Sequence, residues 1–196
     1  MAEQEQLLVP LDDYLKVGIH IGTKFRTKYM EQFIYKVRSD GLSVLNVKSI
    51  DSRLGNAVNL ISQFEPEDIL LVCRRENGWK AAKAFSKATG IRVFAGRYPP
   101  GILTNTNLEN FFETKLLMVV DPWSEKNAIR DAIKVGVPVL ALCDTNNESN
   151  NLDLVIPCNN KGKKSLGLIF WILARDYLKN KKKDFKSKIE DFTDEE

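Results

Sequence analysis

Histidine and cysteine are scarce in this chain of 196 residues: His20 is its single histidine, and Cys73, Cys143 and Cys158 are its three cysteines. The cysteines form no C-x-x-C pair, and an odd, sparse set makes neither a disulfide framework nor a zinc site. They read as small buried hydrophobes in a reducing compartment. No apolar run approaches the roughly 18 residues that a membrane span needs. The stretch Met1–Gln6 is polar and acidic, unlike a secretory signal. There is no G-x-G-x-x-G fingerprint, no internal repeat, and no low-complexity segment apart from the charged end. The expectation is a cytoplasmic protein with no membrane association.

What is present is a core and an uneven charge. Hydrophobic residues make up 43% of the chain, enough for one sizeable domain, and the net charge is +3. Between Lys161 and Lys188 there are ten basic residues and two acidic ones, whereas five of the seven residues from Glu190 onward are acidic. Such blocks suit either an interaction tail or a solvated helix end. The expected organisation is a lead-in over 1–10, a single domain over 11–180 and a charged tail over 181–196.

Periodicity supplies the elements. Asp12 or Asp13 can cap a short helix through Val17, and Gly18–Gly22 breaks it. Two β-rich runs flank Ser39-Asp40-Gly41, a hairpin signal. Ile50, Leu54, Val58, Ile61 and Phe64 recur at helical spacing, which predicts a helix over 50–64 opening near Asp51 or Ser52. Buried strands are predicted at Ile69–Val72, Arg92–Ala95, Leu116–Val120, Val139–Leu142 and Leu154–Ile156. Helices are predicted from Gly78 to Thr89, Glu125 to Val135 and Ser165 to about Asn180, with Gly90 and Gly136 as stops. Continuous apolar strands alternating with helices imply a doubly wound α/β/α domain of about five parallel strands, preceded by a β-hairpin.

Ligands of such a sheet bind beyond the carboxyl ends of its strands. Those ends carry amides, carboxylates and lysines but no catalytic set. Gly162-Lys-Lys-Ser165 resembles part of a phosphate-binding loop, yet Pro157 stands where the first glycine belongs and Lys164 displaces the hydroxyl. Gly96 and Gly101 have the spacing, but Ile102 replaces the lysine. His20 lacks an evident nucleophile or orienting acid. Asp121, Asp144 and Asp153 could together hold magnesium for a phosphotransfer or hydrolase reaction if they converged, or each could serve as a turn or cap. Cations beside rings and glycines recur at loop ends: Lys24-Phe25-Arg26 with Lys28-Tyr29, Lys36 with Arg38, Arg74-Arg75, Arg97-Tyr98, and Lys161, Lys163 and Lys164. Cations neutralise phosphates and rings stack on exposed bases, so their clustering favours an RNA surface.

A family resemblance is carried by Gly18-Ile-His-Ile-Gly22, Phe33-Ile-Tyr35 with Asp40-Gly41, Ala95-Gly-Arg97 with Pro100-Gly101 and Leu103-Thr-Asn105, Val120-Asp-Pro122, Val137-Pro-Val with Leu142-Cys-Asp-Thr145, and Ile156-Pro-Cys-Asn-Asn-Lys-Gly162. In this order they resemble the small-subunit ribosomal protein S2 family in its archaeal form, which is related to the eukaryotic SA (laminin-receptor-like) protein. The resemblance runs from about Leu8 to Leu178. It implies a flavodoxin-like α/β/α domain and a structural component of the small subunit without enzymatic activity or cofactor. Its implied partners are small-subunit ribosomal RNA and neighbouring ribosomal proteins near the junction of head and body. No small-molecule substrate and no functional homo-oligomer are expected.

Bacterial members insert a long helical hairpin between the Thr-Asn and Asp-Pro segments, whereas here only Thr106–Val120 lies between them. Relatives usually carry Arg where this chain has Trp123 and often Gln where it has Trp79; indole at those positions changes the local contact. The long SA-type C-terminal extension is absent, so no cell-surface role is transferred. The expected phosphate contacts are Lys24, Arg26, Lys28, Lys36, Arg38, Arg97, Lys161, Lys163 and Lys164, with Tyr29 and Tyr98 stacking or packing. Asp144, Asn159 and Asn160 are expected to shape the loops that present the lysines. No residue is assigned to catalysis or metal binding.

Overall fold

The computed structural model describes residues 7–193. The first part of the expected lead-in, 1–6, and the acidic end, 194–196, lie outside the described residues. Helix α1 spans Leu11–Lys16. Strands β1 (Ile34–Val37) and β2 (Ser43–Leu45) form the antiparallel hairpin, which turns at Gly41 with φ of 82°. Helix α2 (Val47–Ile61) then leads into five parallel strands: β3 (Ile69–Cys73), β4 (Arg92–Ala95), β5 (Leu116–Val119), β6 (Val139–Cys143) and β7 (Leu154–Pro157). Their order is β4-β3-β5-β6-β7, with every neighbouring pair parallel. This is the flavodoxin-like arrangement, and its switch point lies between β3 and β5.

Helices α3 (Trp79–Thr89) and α5 (Lys163–Asn180) pack together, and α5 also packs on α2, so these three form one helical layer. Helix α4 (Lys126–Val135) joins β5 to β6. A right-handed crossover running in that direction lays it on the opposite face. Among the described residues the rest of that face has no helix: the connection from β4 to β5, residues 96–115, covers it with Tyr98, Ile102 and Leu103, all buried. Strands β3, β5 and β6 are buried along their whole length, which is why they read as unbroken apolar runs.

Several boundaries differ from the expected ones. Helix α2 begins earlier because Asn46 caps it, accepting from Lys48 N at 3.0 Å. Asp51, expected near the start, instead accepts from Leu8 N at 2.9 Å and from Tyr14 Oη at 2.7 Å, fastening the N-terminal segment to α2. Helix α1 has Pro10 at its N-cap, with Asp12 and Asp13 in its first turn, where they meet the positive end of the helix dipole. Lys163 and Lys164 are the first two residues of α5 rather than its lead-in.

The segment after α5 folds back along that helix. Trp171 Nε1 donates to Ser187 O at 3.2 Å; Phe185 lies between the rings of Trp171 and Phe192; Lys80 Nζ donates to Thr193 O at 2.8 Å. Gly167 makes the seat: a Cβ there would stand 2.4 Å from Thr193 Cγ2 and 3.0 Å from Phe192 O. The charged residues of this segment remain outside while its aromatic residues reach the core.

Phe192 is 1% exposed, so Phe192→Ala is expected to cost about 3 kcal/mol in urea unfolding and to speed tryptic cleavage at Lys182–Lys188, while Phe192→Leu retains most of the protection. Unchanged cleavage in the alanine variant would contradict the packing. The three thiols are all buried, and burial, with Glu125 adding to it, pushes Cys73 up to about 12. Burial likewise raises Cys143 and Cys158. At pH 8 the Cys73 thiolate is then about one part in ten thousand, so a disulfide reagent is expected to leave the native chain unmodified and to label all three cysteines in denaturant.

Candidate nucleic-acid interface

In a doubly wound sheet the ligand crevice opens at the switch point, here between the carboxyl ends of β3 and β5. In this chain it is filled from within. Arg75 Nη2 pairs with Asp121 Oδ2, and Asp121 is buried. The same carboxylate accepts from Ser124 Oγ at 2.8 Å, Trp123 N at 3.1 Å and Asn147 Nδ2 at 2.9 Å. Glu125, also buried, accepts from Arg74 N at 2.9 Å and Val120 N at 3.0 Å, bracing the two strand ends. Burial pushes its carboxyl well above the ordinary range.

The network continues across the sheet edge through Asn160. Its Nδ2 lies 3.1 Å from Val120 O after β5, 3.0 Å from Leu142 O on β6 and 3.0 Å from Asn147 Oδ1, which also accepts from Asp144 N at 2.8 Å. One fully buried amide therefore joins the ends of β5, β6 and β7. Asn159 works on the neighbouring loop. Its Oδ1 accepts from Lys161 N and Gly162 N at 3.1 and 3.2 Å, shaping the entry to α5, and its Nδ2 donates to Gly18 O at 3.2 Å. Asp144 Oδ1 accepts from Thr145 N at 2.6 Å, and its Oδ2 holds Lys161 Nζ at 2.8 Å.

The carboxylates do not converge. Asp121 and Asp144 are engaged by Arg75 and Lys161, whereas Asp153 sits at the opposite edge of the sheet, where its Oδ2 accepts from Val139 N, the first residue of β6, at 2.8 Å. Among the described residues no group of three or more His, Cys, Asp or Glu side chains could hold a metal ion. His20 is partly buried, and that burial lowers its pKa.

The cations gather around this edge in a definite pattern. The segment 20–29 is stitched to the core at both ends. Leu45 N donates to His20 O at 2.8 Å and Gly22 N to Ser43 O at 2.9 Å, extending the hairpin by one more antiparallel partner. Thr23 N donates to Thr145 Oγ1 at 2.9 Å, Thr27 N to Thr145 O at 3.0 Å, and Thr27 Oγ1 to Asn147 O at 2.9 Å. Gly22 permits this approach, since a Cβ there would lie 2.5 Å from Thr145 Cγ2. Lys24, Arg26 and Lys28 consequently stand exposed on a loop held against the carboxyl end of β6, with Phe25 between them 79% exposed.

Lys36 and Arg38 are exposed on the hairpin next to that segment, Arg38 lying 3.6 Å from Asp40. Lys163 and Lys164 are exposed at the start of α5. Lys161 differs from the others: its ammonium serves Asp144 and also reaches Asn146 Oδ1 at 3.3 Å, which makes it part of the loop's internal structure. Arg97 stands apart, lining a recess with Arg74, Ser124 and Asn127 over the sealed crevice. Tyr98 is buried and packs edge-on against Phe94, with its hydroxyl 3.3 Å from Asp131 Oδ2; it packs and does not stack on a ligand. Neither Asn147 nor Thr145 stands out in the sequence as an organiser, because an Asn-rich loop gives no sign of which amide turns inward.

Asn160→Ala is expected to leave two strand-end carbonyls without a donor and to lower the free energy of unfolding by about 2 kcal/mol, with Asn160→Asp costing more because it sets a carboxylate against those carbonyls. Urea unfolding of the two variants checks this, and a shift within about 0.5 kcal/mol would remove Asn160 from its place in the network.

The sequence profile described as ribosomal protein S2 matches residues 107–179. The chain is 48% identical over 174 residues to the small ribosomal subunit protein uS2 of Nanoarchaeum equitans, covering 89% of this chain and 87% of that protein. It is 42% identical over 193 residues to the protein of the same name from Thermoplasma acidophilum, covering 96% and 97% of the two chains. With the protein of that name from Picrophilus torridus it shares 42% identity over 194 residues, covering 96% and 97%. With similarity of this extent over nearly the whole of each chain, the chain belongs to the ribosomal protein S2 family.

Proposed function

We propose that the chain is a non-enzymatic structural constituent of the small ribosomal subunit in the cytoplasm, held there by ribosomal RNA and by neighbouring ribosomal proteins near the junction of head and body. The observation that carries this reading is the loop bearing Lys24, Arg26 and Lys28, exposed yet pinned by Thr23 and Thr27 to the loop after β6. A flexible cationic loop loses conformational entropy on meeting phosphate; a pre-ordered one loses less. The internally paired crevice supports the same reading, because Arg75, Asp121 and Asn147 are engaged with one another rather than set out as a catalytic group. Family membership supports the assembly, and the resemblance noted at the outset supports the position within it.

The proposed phosphate contacts are Lys24, Arg26, Lys28, Lys36, Arg38, Arg97, Lys163 and Lys164, with Lys161 offering the free side of an ammonium already partnered by Asp144. Asp144, Asn159 and Asn160 shape the loops that carry them. The chain acts as a single copy in the assembly.

Replacing Lys24, Arg26 and Lys28 together with Ala is expected to reduce the salt slope of ribosomal RNA binding by about 2–3. These three are chosen because removing Lys161 would strand the buried Asp144 and confuse folding with binding. Sedimentation of lysate at moderate salt provides the second measurement: co-migration with the small subunit is expected. An unchanged slope, or recovery only as free protein, would overturn the assignment.

A further inference from the structure

Trp123 is 64% exposed, an uncommon position for an indole, and it is not idle surface. It forms one wall of a groove of ≈ 420 Å³, with Lys126 and Arg130 of α4 beside it and Asn146, Asn150 and Asn151 opposite. Lys126 Nζ lies 5.7 Å from the ring centroid, marking the indole face as a site attractive to cations and planar groups. Both walls hang on one buried atom: Asp121 Oδ1 accepts from Trp123 N at 3.1 Å and from Asn147 Nδ2 at 2.9 Å. The groove is thus built into the polar network of the sheet edge. Across the ridge of Glu148 and Asn150 lies a second recess lined by Lys28 and Tyr29, and Tyr29 is also exposed.

The two recesses share a composition: an exposed ring, a cation, and amide edges from one loop. Amides offer both donors and acceptors, as the Watson–Crick edges of bases do. Lys126, Arg130 and Lys28 face this surface against the single carboxylate of Glu148, so the balance favours a polyanion over an acidic-poor peptide. Beside the buried Ile129 the groove also exposes Ile133, at 47%, an apolar surface against which the face of a base packs as readily as a protein side chain does. Duplex RNA keeps its base faces stacked and out of reach. We propose that this face binds unpaired nucleotides of single-stranded RNA, one base stacked on Trp123 and another on Tyr29, with the phosphates between them met by Lys126, Arg130 and Lys28. The inference rests on the RNA-scaffold reading above and adds which RNA form this face takes.

The test measures binding of the full chain to a fluorescein-labelled oligoadenylate and to a duplex of similar length, at low salt, for wild type, W123A and W123F. Trp123 is exposed, so both variants should melt with the wild type. Single-strand affinity is expected to fall about tenfold in W123A and to be largely kept in W123F, with duplex affinity, held by phosphate contacts, unchanged. Equal single-strand affinity in W123A and wild type overturns the stacking site while leaving the RNA scaffold intact. Small subunits carrying W123A that lose a protein neighbour but bind single strands normally would assign the groove to protein instead, and likewise overturn it. A wild-type chain that binds neither RNA sinks the scaffold reading itself.

Discussion

A parallel sheet gathers the carboxyl ends of its strands along one edge, and each strand brings backbone carbonyls and N–H groups that must be satisfied there. In this chain the task falls to side chains. Asn160 bonds to the ends of β5 and β6, Asn147 connects it to Asp121, and Asp121 binds Arg75 beyond β3. Buried charge is tolerable only when paired and hydrogen-bonded, and both conditions are met at Asp121. Asn147 and Asp121 each bond to more than one member, so the strand ends share a single network.

That unit has consequences for what the protein can do. Many domains of this topology keep the switch point open for a cofactor or phosphate. Here Arg75, Asp121, Asn147 and Asn160 bond to one another and to the strand ends, and the cations and rings of the surrounding loops face outward. The 20–29 segment is the clearest example: its threonines and Gly22 are spent on Thr145 and Asn147, and Lys24, Phe25, Arg26 and Lys28 remain outside. A rigid, charged rim around a filled centre suits recognition of a large polyanion, where many modest contacts add up, better than turnover of a small one.

The helical layer shows the same division between inside and outside. The segment after α5 is strongly charged, yet it returns to the fold through Phe185 and Phe192, seated where Gly167 leaves room. Its lysines stay in solvent except for Lys181, which reaches Glu65 at 2.7 Å. At the other end, Asp51 fastens Leu8 and Tyr14, and Arg175 Nη2 donates to Leu8 O at 3.1 Å. Both ends of the described chain are therefore stitched to α2, α3 and α5.

The sequence by itself determined the class of fold and most of its elements. Unbroken apolar runs such as Ile69–Cys73 and Val139–Cys143 can only be satisfied by a sheet covered on both sides, and Gly90 and Gly136, at φ of 80° and 75°, end helices that lack a better stop. Residue types also marked the cationic loops and the motifs that carry the family resemblance. Only the tertiary structure decided which polar residues turn inward. Asn147 and Asn160 sit in runs of similar amides, Asp121 and Asp153 look alike on paper, and Lys161 looks like Lys163. Their roles depend on strand ends brought together from residues 74, 120, 143 and 158, a proximity with no local signature. Periodicity reports burial along one element, whereas hydrogen-bond partnership depends on distance between elements, and that distance exists only once the chain has folded.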